Sequence, residues 1–145
     1  MIVIADTSGL LAAIDLDDED HEASRRSIAQ ASHLVISPLV LAELDYLVAK
    51  TLGERKAIKV AEHIIEKAGV GVYEIAETPP EVLAAAGAVR LRYLELKIGL
   101  TDAVNVVLAA QYSTNLLLTL DRRHFRTLRP ISGRQASFRL LPDDL

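Results

Sequence analysis

Four acidic positions stand where a parallel α/β sheet would gather them. Asp6 closes a short β-branched run, Ile2 to Ala5, and Asp121 follows a second apolar run, Leu116 to Leu120. Ligands bind beyond the carboxyl ends of parallel strands, where the loops converge, so both side chains are expected on one crevice. Asp102 opens an apolar helical segment with Thr101 before it as the natural cap, which places a third carboxylate at a helix N-terminus near the same rim. The fourth acid lies in the segment 38 to 52. Glu43 has Leu39, Val40, Tyr46 and Leu47 as helical neighbours, and Asp45 has Leu41, Ala42, Val48 and Ala49. A carboxylate on such a face needs a partner, and periodicity does not choose between the two. Singly, each acid has a structural explanation: Asp6 and Asp102 as caps or dipole partners, Asp121 as a turn former, Glu43 as half of an ion pair. Together they suit a hard divalent cation, which activates water for in-line attack at phosphorus and neutralises the leaving oxygen.

Composition narrows the chemistry further. The 145-residue chain has no cysteine, which removes disulfides, zinc–thiolate sites and thiol nucleophiles, leaves any metal to carboxylates or histidine, and fits a cytoplasmic setting. His21, His33 and His63 have no ligand-like spacing and read as structural. A phosphotransferase using Asp6 as nucleophile would carry a second carboxylate two residues on, but position 8 is serine. A phospho-receiver domain would need a lysine after its last strands, and residues 98 to 145 contain none. No apolar run approaches the roughly 20 residues of a membrane-spanning helix, and the N-terminus has neither a basic start nor a cleavage site, so neither membrane insertion nor export is expected. Net charge is −4 but uneven, because residues 119 to 145 hold six arginines (Arg122, Arg123, Arg126, Arg129, Arg134, Arg139) against three acids. Guanidinium forks suit phosphate oxygens, so this segment reads either as a basic patch for nucleic acid or as a solvated surface.

To bring the carboxylates to one rim, the chain must alternate strands and helices. Ile2 to Ala5 reads as a strand, Thr7-Ser8-Gly9 as a turn, and Leu10 to Ile14 as helical. The acidic stretch Asp15 to Asp20 is a solvated loop running into a helix over about residues 19 to 31. Leu34-Val35-Ile36 predicts a second strand, followed by a helix to about Leu52, capped by Ser37 with Pro38 in first position. Gly53 separates it from a helix over Glu54 to Ala68, whose apolar face would carry Ala57, Ile58, Ala61, Ile64 and Ile65. A third strand is expected over Val70 to Ile75, then a capping box at Thr78-Pro-Pro-Glu81 starting a helix that reaches about Lys97. Gly99 breaks that helix, the next runs from Leu100 through Ala110, and strands follow at Asn115 to Thr119 and near Phe138 to Leu141. The pattern specifies a single domain over residues 1 to 145, an α/β fold in which a mainly parallel sheet is the middle of a three-layer α/β/α sandwich.

The motifs Asp6-Thr-Ser-Gly-Leu, Ser37-Pro-Leu-Val-Leu-Ala-Glu43-Leu, Leu100-Thr-Asp102-Ala and Thr119-Leu-Asp121-Arg-Arg-His-Phe125 together span nearly the whole chain. In this order and spacing they resemble PIN-domain ribonucleases, and among them the VapC toxins of bacterial toxin–antitoxin pairs. The resemblance implies that Asp6, Glu43, Asp102 and Asp121 gather Mg²⁺ or Mn²⁺ and that a metal-activated water cuts an RNA phosphodiester to leave a 5′-phosphate. It also selects Glu43 over Asp45. Thr7 or Ser8 and Thr119 would orient the acids, and Asn105, one turn after Asp102, would hold water or substrate. Some family members carry a further acid shortly after the fourth; here Arg122, Arg123 and His124 follow, which implies one tightly bound ion at rest. His124 beside two arginines reads as a surface residue or RNA contact rather than a general acid, Arg122 and Arg123 as substrate contacts, and Phe125 as an anchor of the loop in the core. A toxin of this kind would form a homodimer and be silenced by a cognate antitoxin peptide in an apolar groove, for which the helix at residues 38 to 52 is the candidate. The alternative of another class is a catalytically silent PIN fold serving as a binding module.

Overall fold

The computed structural model describes residues 1–131 and 133–145. Its elements run β1 (Ile2–Ala5), α1 (Thr7–Ile14), α2 (His21–Gln30), β2 (His33–Ile36), α3 (Pro38–Leu52), α4 (Glu54–Gly69), β3 (Tyr73–Ile75), α5 (Pro80–Arg92), α6 (Leu100–Gln111), β4 (Leu116–Leu118), α7 (Arg122–Phe125) and β5 (Arg139–Leu141). The five strands form one sheet in the order β3-β2-β1-β4-β5 with every pairing parallel. Successive strand side chains point to opposite faces, and the core divides accordingly. Val3, Ala5, Leu34, Ile36, Leu116 and Leu118 pack under α1, α3 and α4, whereas Ile4, Val35 and Leu117 pack under α5 and α6. This is the expected three-layer sandwich.

Several boundaries differ from the sequence pattern, each for a local reason. Thr7-Ser8-Gly9 is the first turn of α1 rather than a loop. Gly9 serves close packing there: a Cβ at this position would lie 2.6 Å from both the Leu118 carbonyl oxygen and Leu118 Cγ. β3 begins at Tyr73 because Val70 still caps α4 and Gly71, at φ +81°, turns the chain first. The Thr78 capping box does not form, since Pro79 takes the cap position and leaves Thr78 outside α5. α5 ends at Arg92, not Lys97; a 3₁₀ turn at Leu94–Leu96 and a left-handed Lys97 return the chain so that Ile98 is buried. Gly99 rather than Thr101 occupies the cap of α6, which places Thr101 inside the helix. On α4 only Ala57 and Ile64 of the five expected apolar residues are fully buried. Ile58 and Ile65 follow them by one residue, about 100° around the helix, and stay exposed.

Other signals act as read. Ser37 Oγ accepts a hydrogen bond from the Leu39 amide at 3.1 Å with Pro38 in the first position of α3, and Gly53, at φ +96°, separates α3 from α4. Because α1 rests directly on the β4 backbone, Gly9→Ala should lower the thermal midpoint by several degrees, corresponding to about 1–3 kcal/mol of overpacking, measured by differential scanning calorimetry.

Candidate active site

The site follows from the register of two neighbouring strands. Ala5 of β1 lies opposite Leu118 of β4, so the next residues, Asp6 and Thr119, leave the sheet side by side. Chain order reverses between these strands, with β2 and β3 on one side and β5 on the other, and such a reversal opens a crevice at the carboxyl ends. A cavity of about 350 Å³ opens there, lined by Asp6, Glu43, Asp102 and Asp121 together with Thr7, Ser8 and Thr101.

Asp6 is buried and does not cap α1. Its Oδ2 accepts from Thr119 Oγ1 at 2.8 Å, with Ser8 Oγ at 3.2 Å, and its Oδ1 accepts from Asn105 Nδ2 at 3.4 Å. Ser8 Oγ in turn accepts from the Leu120 amide at 2.9 Å, and Thr119 Oγ1 from the Asp121 amide at 3.0 Å. Ser8, Asn105 and Thr119 therefore all orient Asp6. Thr7 does not do so through its hydroxyl, which is buried without a hydrogen-bond partner. Asn105 is fully buried, which suits holding a carboxylate more than meeting a substrate.

Asp102 sits in the first turn of α6, and Asp121 caps α7 by accepting from the His124 amide at 3.1 Å. His124 is the residue whose place the sequence misjudged. Its ring turns inward, with Nδ1 3.1 Å from an oxygen of each of Asp102 and Asp121. The missed signal was its i,i+3 spacing from Asp121, which one turn of helix converts into contact. Glu43 is exposed, so the argument that a buried acid demands a partner does not apply to it; it reaches the cavity from the second turn of α3, while Asp45 is absent from the lining.

Three of the six arginines in the arginine-rich tail are held by other residues of the chain. Arg122 makes two hydrogen bonds to Asp143, Arg126 makes two to Asp144, and Arg139 donates to the Asp144 carbonyl. Arg122 is thus held by the tail rather than presented to a substrate, whereas Arg123 is exposed and in no ion pair among the described residues. Phe125 is buried, edge-on to Phe138, as expected.

Residues 3–129 match the PIN domain family. The chain belongs to the PIN-domain family. Ribonuclease VapC26 of Mycobacterium tuberculosis is 46% identical over 132 residues, 90% of this chain and 95% of that protein. Three solved structures share the fold. VapC20 of Mycobacterium tuberculosis, described as a sarcin–ricin-loop-cleaving toxin, superposes with a TM-score of 0.74 at 21% identity over 82% of this chain and 89% of that one. VapBC2 from Rickettsia felis, bound to a promoter DNA fragment, gives 0.67 at 21% identity over 97% and 98% of the two chains. DNA-bound VapBC from Salmonella typhimurium gives 0.67 at 20% identity over 97% and 96%.

In this PIN domain the carboxylates repel one another across the cavity. Burial raises the Asp6 carboxyl above its ordinary range against the hydrogen bonds from Thr119 and Ser8. Burial, then the charge of Asp6, pushes Asp102 up to about 6, with the His124 hydrogen bond opposing. The donor set is hard and anionic, one buried hydroxyl is left unpartnered, and no lysine or arginine lines the cavity among the described residues. A divalent cation fits such a lining.

A carboxylate raised in this way keeps its proton longer in the folded state than in the unfolded one. Its ionisation therefore costs stability progressively as pH rises from its ordinary value of 3.8 to about 6, and the cost is constant above that. Asp102→Asn should accordingly melt higher than the native protein in the absence of metal, by a margin that grows from about pH 4 to about 6 and then levels. Thermal melts across that range check this, and a margin independent of pH would contradict it.

Proposed function

We propose that this protein is a metal-dependent endoribonuclease, the toxin of a toxin–antitoxin pair, with residues 1–145 as one nuclease domain acting in the cytoplasm. The observation that carries the reading is the convergence of Asp6, Glu43, Asp102 and Asp121 on one cavity at the β1–β4 reversal. The likeness to Ribonuclease VapC26 supports RNA as substrate. In this reading the four carboxylates hold Mg²⁺ or Mn²⁺, which supplies the positive charge that lets water ionise near neutral pH and that offsets charge on the leaving oxygen. Thr119, Ser8 and Asn105 fix the Asp6 carboxylate so that its oxygens do not reorganise during the reaction. Thr101 lines the cavity beside Asp102, and Arg123 stands free to meet a phosphate of the RNA. The products would carry a 5′-phosphate.

The partner reading needs an apolar surface, and for it we take a groove beside α3 in preference to α3 itself. α3 lends only Leu44 to a groove of about 610 Å³ bordered by α1, α2 and α4. Leu10, Ile14, Ile28 and Val60 form its floor, and Arg25, Lys56, Lys59 and Lys67 line it without a single carboxylate among the described residues. In a chain of net charge −4 this is a cationic strip, complementary to an amphipathic acidic segment of an antitoxin. The VapBC structures named above are of complexes, which supports such a partner, and a homodimer belongs to the same reading.

Cleavage of a pool of structured cellular RNAs with Mg²⁺ or Mn²⁺ tests the activity. Glu43→Gln should lose at least about a hundredfold in rate, as for removal of a group acting in the transition state, while Asp45→Asn stays near the native rate. Equal losses would remove Glu43 from the site, and no cuts together with no heat of metal binding would favour a silent binding module. For the groove, Val60→Asp with Lys59→Glu should weaken capture of the co-encoded antitoxin by about tenfold or more without slowing RNA cleavage; undiminished capture would place the partner elsewhere.

A further inference from the structure

His124 is more than a neighbour of the acids. Its Nδ1 lies 3.1 Å from Asp102 Oδ2 and 3.1 Å from Asp121 Oδ2, and one ligand atom from each of the three residues falls within 4.8 Å of the others. A neutral imidazole Nδ1 carries at most one hydrogen, so a hydrogen bond to one carboxylate leaves the second facing the same nitrogen without a donor of its own. Neighbouring ligands of an octahedral ion at about 2.1 Å stand about 3 Å apart, which is the spacing of the His124 nitrogen from each carboxylate oxygen. A second observation at the cavity is Thr7, a residue of its lining whose hydroxyl is buried with no hydrogen-bond partner among the described residues.

The ring is also held there by structure that owes nothing to its own hydrogen bonds. α7 is a single turn and has no stability of its own. It is fixed by burial of Phe125, by the Asp121 cap on the His124 amide, and by the paired hydrogen bonds of Arg122 to Asp143 and Arg126 to Asp144. With the backbone pinned on both sides, the imidazole is delivered to the two carboxylates.

We propose that His124 is a nitrogen ligand of the cation held by Asp102 and Asp121, and that this nitrogen makes the centre select a first-row transition ion such as Mn²⁺ over Mg²⁺. The inference rests on the metal-dependent reading above and refines it. Mg²⁺ is bound through oxygen and keeps its water, whereas imidazole adds affinity for transition ions, so one carboxylate exchanged for one imidazole shifts the ratio between the two.

Pulsed electron paramagnetic resonance on the Mn²⁺-loaded native protein reads the bond directly. A nitrogen coupling of the size of a bound imidazole is expected, and His124→Gln should abolish it. Calorimetry with each metal salt supplies a second readout: His124→Asp should bind Mg²⁺ more tightly and lower the Mn²⁺ to Mg²⁺ affinity ratio by about tenfold. Mn²⁺ bound without nitrogen coupling, or a ratio unchanged in His124→Asp, would overturn the proposal and leave an all-carboxylate centre standing. No binding of either ion by the native protein would overturn the proposal and the metal-dependent reading together.

Discussion

The parallel pairing of β1 with β4 is the constraint on which the rest depends. It joins the first strand of the chain to one formed more than a hundred residues later, and the only register pairs are Ile4 with Leu117 and Ala5 with Leu118. The Asp6 amide extends the ladder by donating to the Leu118 carbonyl at 2.9 Å. A slip of one residue would send Ala5 and Leu118 to opposite faces and part Asp6 from Thr119. The same pairing explains Gly9, since α1 leaves β1 immediately and must cross the β4 backbone with no room for a side chain. Strand register, helix packing and carboxylate orientation are therefore one arrangement.

That arrangement concentrates negative charge, and the protein handles it unevenly. Asp6 keeps its place through three side-chain donors, while among the described residues Asp102 has only the His124 ring. Both are pushed upward mainly by burial, so the folded apoprotein is least content with its site above about pH 6. At the other end of α7 the balance is reversed. Asp144 is drawn down to about 2 by its hydrogen bond from Arg126 and by the Leu140 amide, and Asp143 is lowered by Arg122. Such exposed pairs contribute little each, but both are doubly hydrogen-bonded and both act on a one-turn helix that packing alone holds only through Phe125. Two of the six arginines that suggest a nucleic-acid patch, Arg122 and Arg126, are spent on holding the fourth acid in position.

Legibility from sequence followed the range of the interactions. Strands, most helices and the alternation that specifies a parallel sheet were readable, because each is set by a local period or a local stop such as Ser37-Pro38 or Gly53. Asp6 and Asp121 were readable as strand-end acids for the same reason. What could not be read depended on partners far along the chain. Glu43 against Asp45 is decided by which side of α3 faces the cavity, a tertiary fact, and the exposure of Glu43 shows that the local argument from apolar neighbours had the wrong premise. The end of α5 is decided by the demand to bury Ile98, and the fate of Arg122 and Arg126 by two acids about twenty residues later. His124 failed for a subtler reason: two flanking arginines made it look solvated, but a helix turn sends successive side chains about 100° apart and only one of the three inward.

α1 borders both cavities, and that sharing limits how they can influence one another. Leu10 lines the groove toward α2 and α4, while Leu11 lines the acidic cavity, as adjacent residues on a helix must diverge. The helix has only eight residues, about 12 Å, and its first turn carries Thr7 and Ser8 of the site. With Gly9 already in contact with the Leu118 backbone, α1 has no free space to move toward the sheet. An occupant of the groove therefore has two physical routes to the site. It can extend along the surface into the acidic cavity and present its own groups there, or it can draw α1 outward and loosen Ser8 from Thr119 and Asp6. The second route breaks a partly buried hydrogen-bonded set and opens packing around Leu10, which a stable complex would have to offset, so covering the site is the less costly way for a bound partner to silence it.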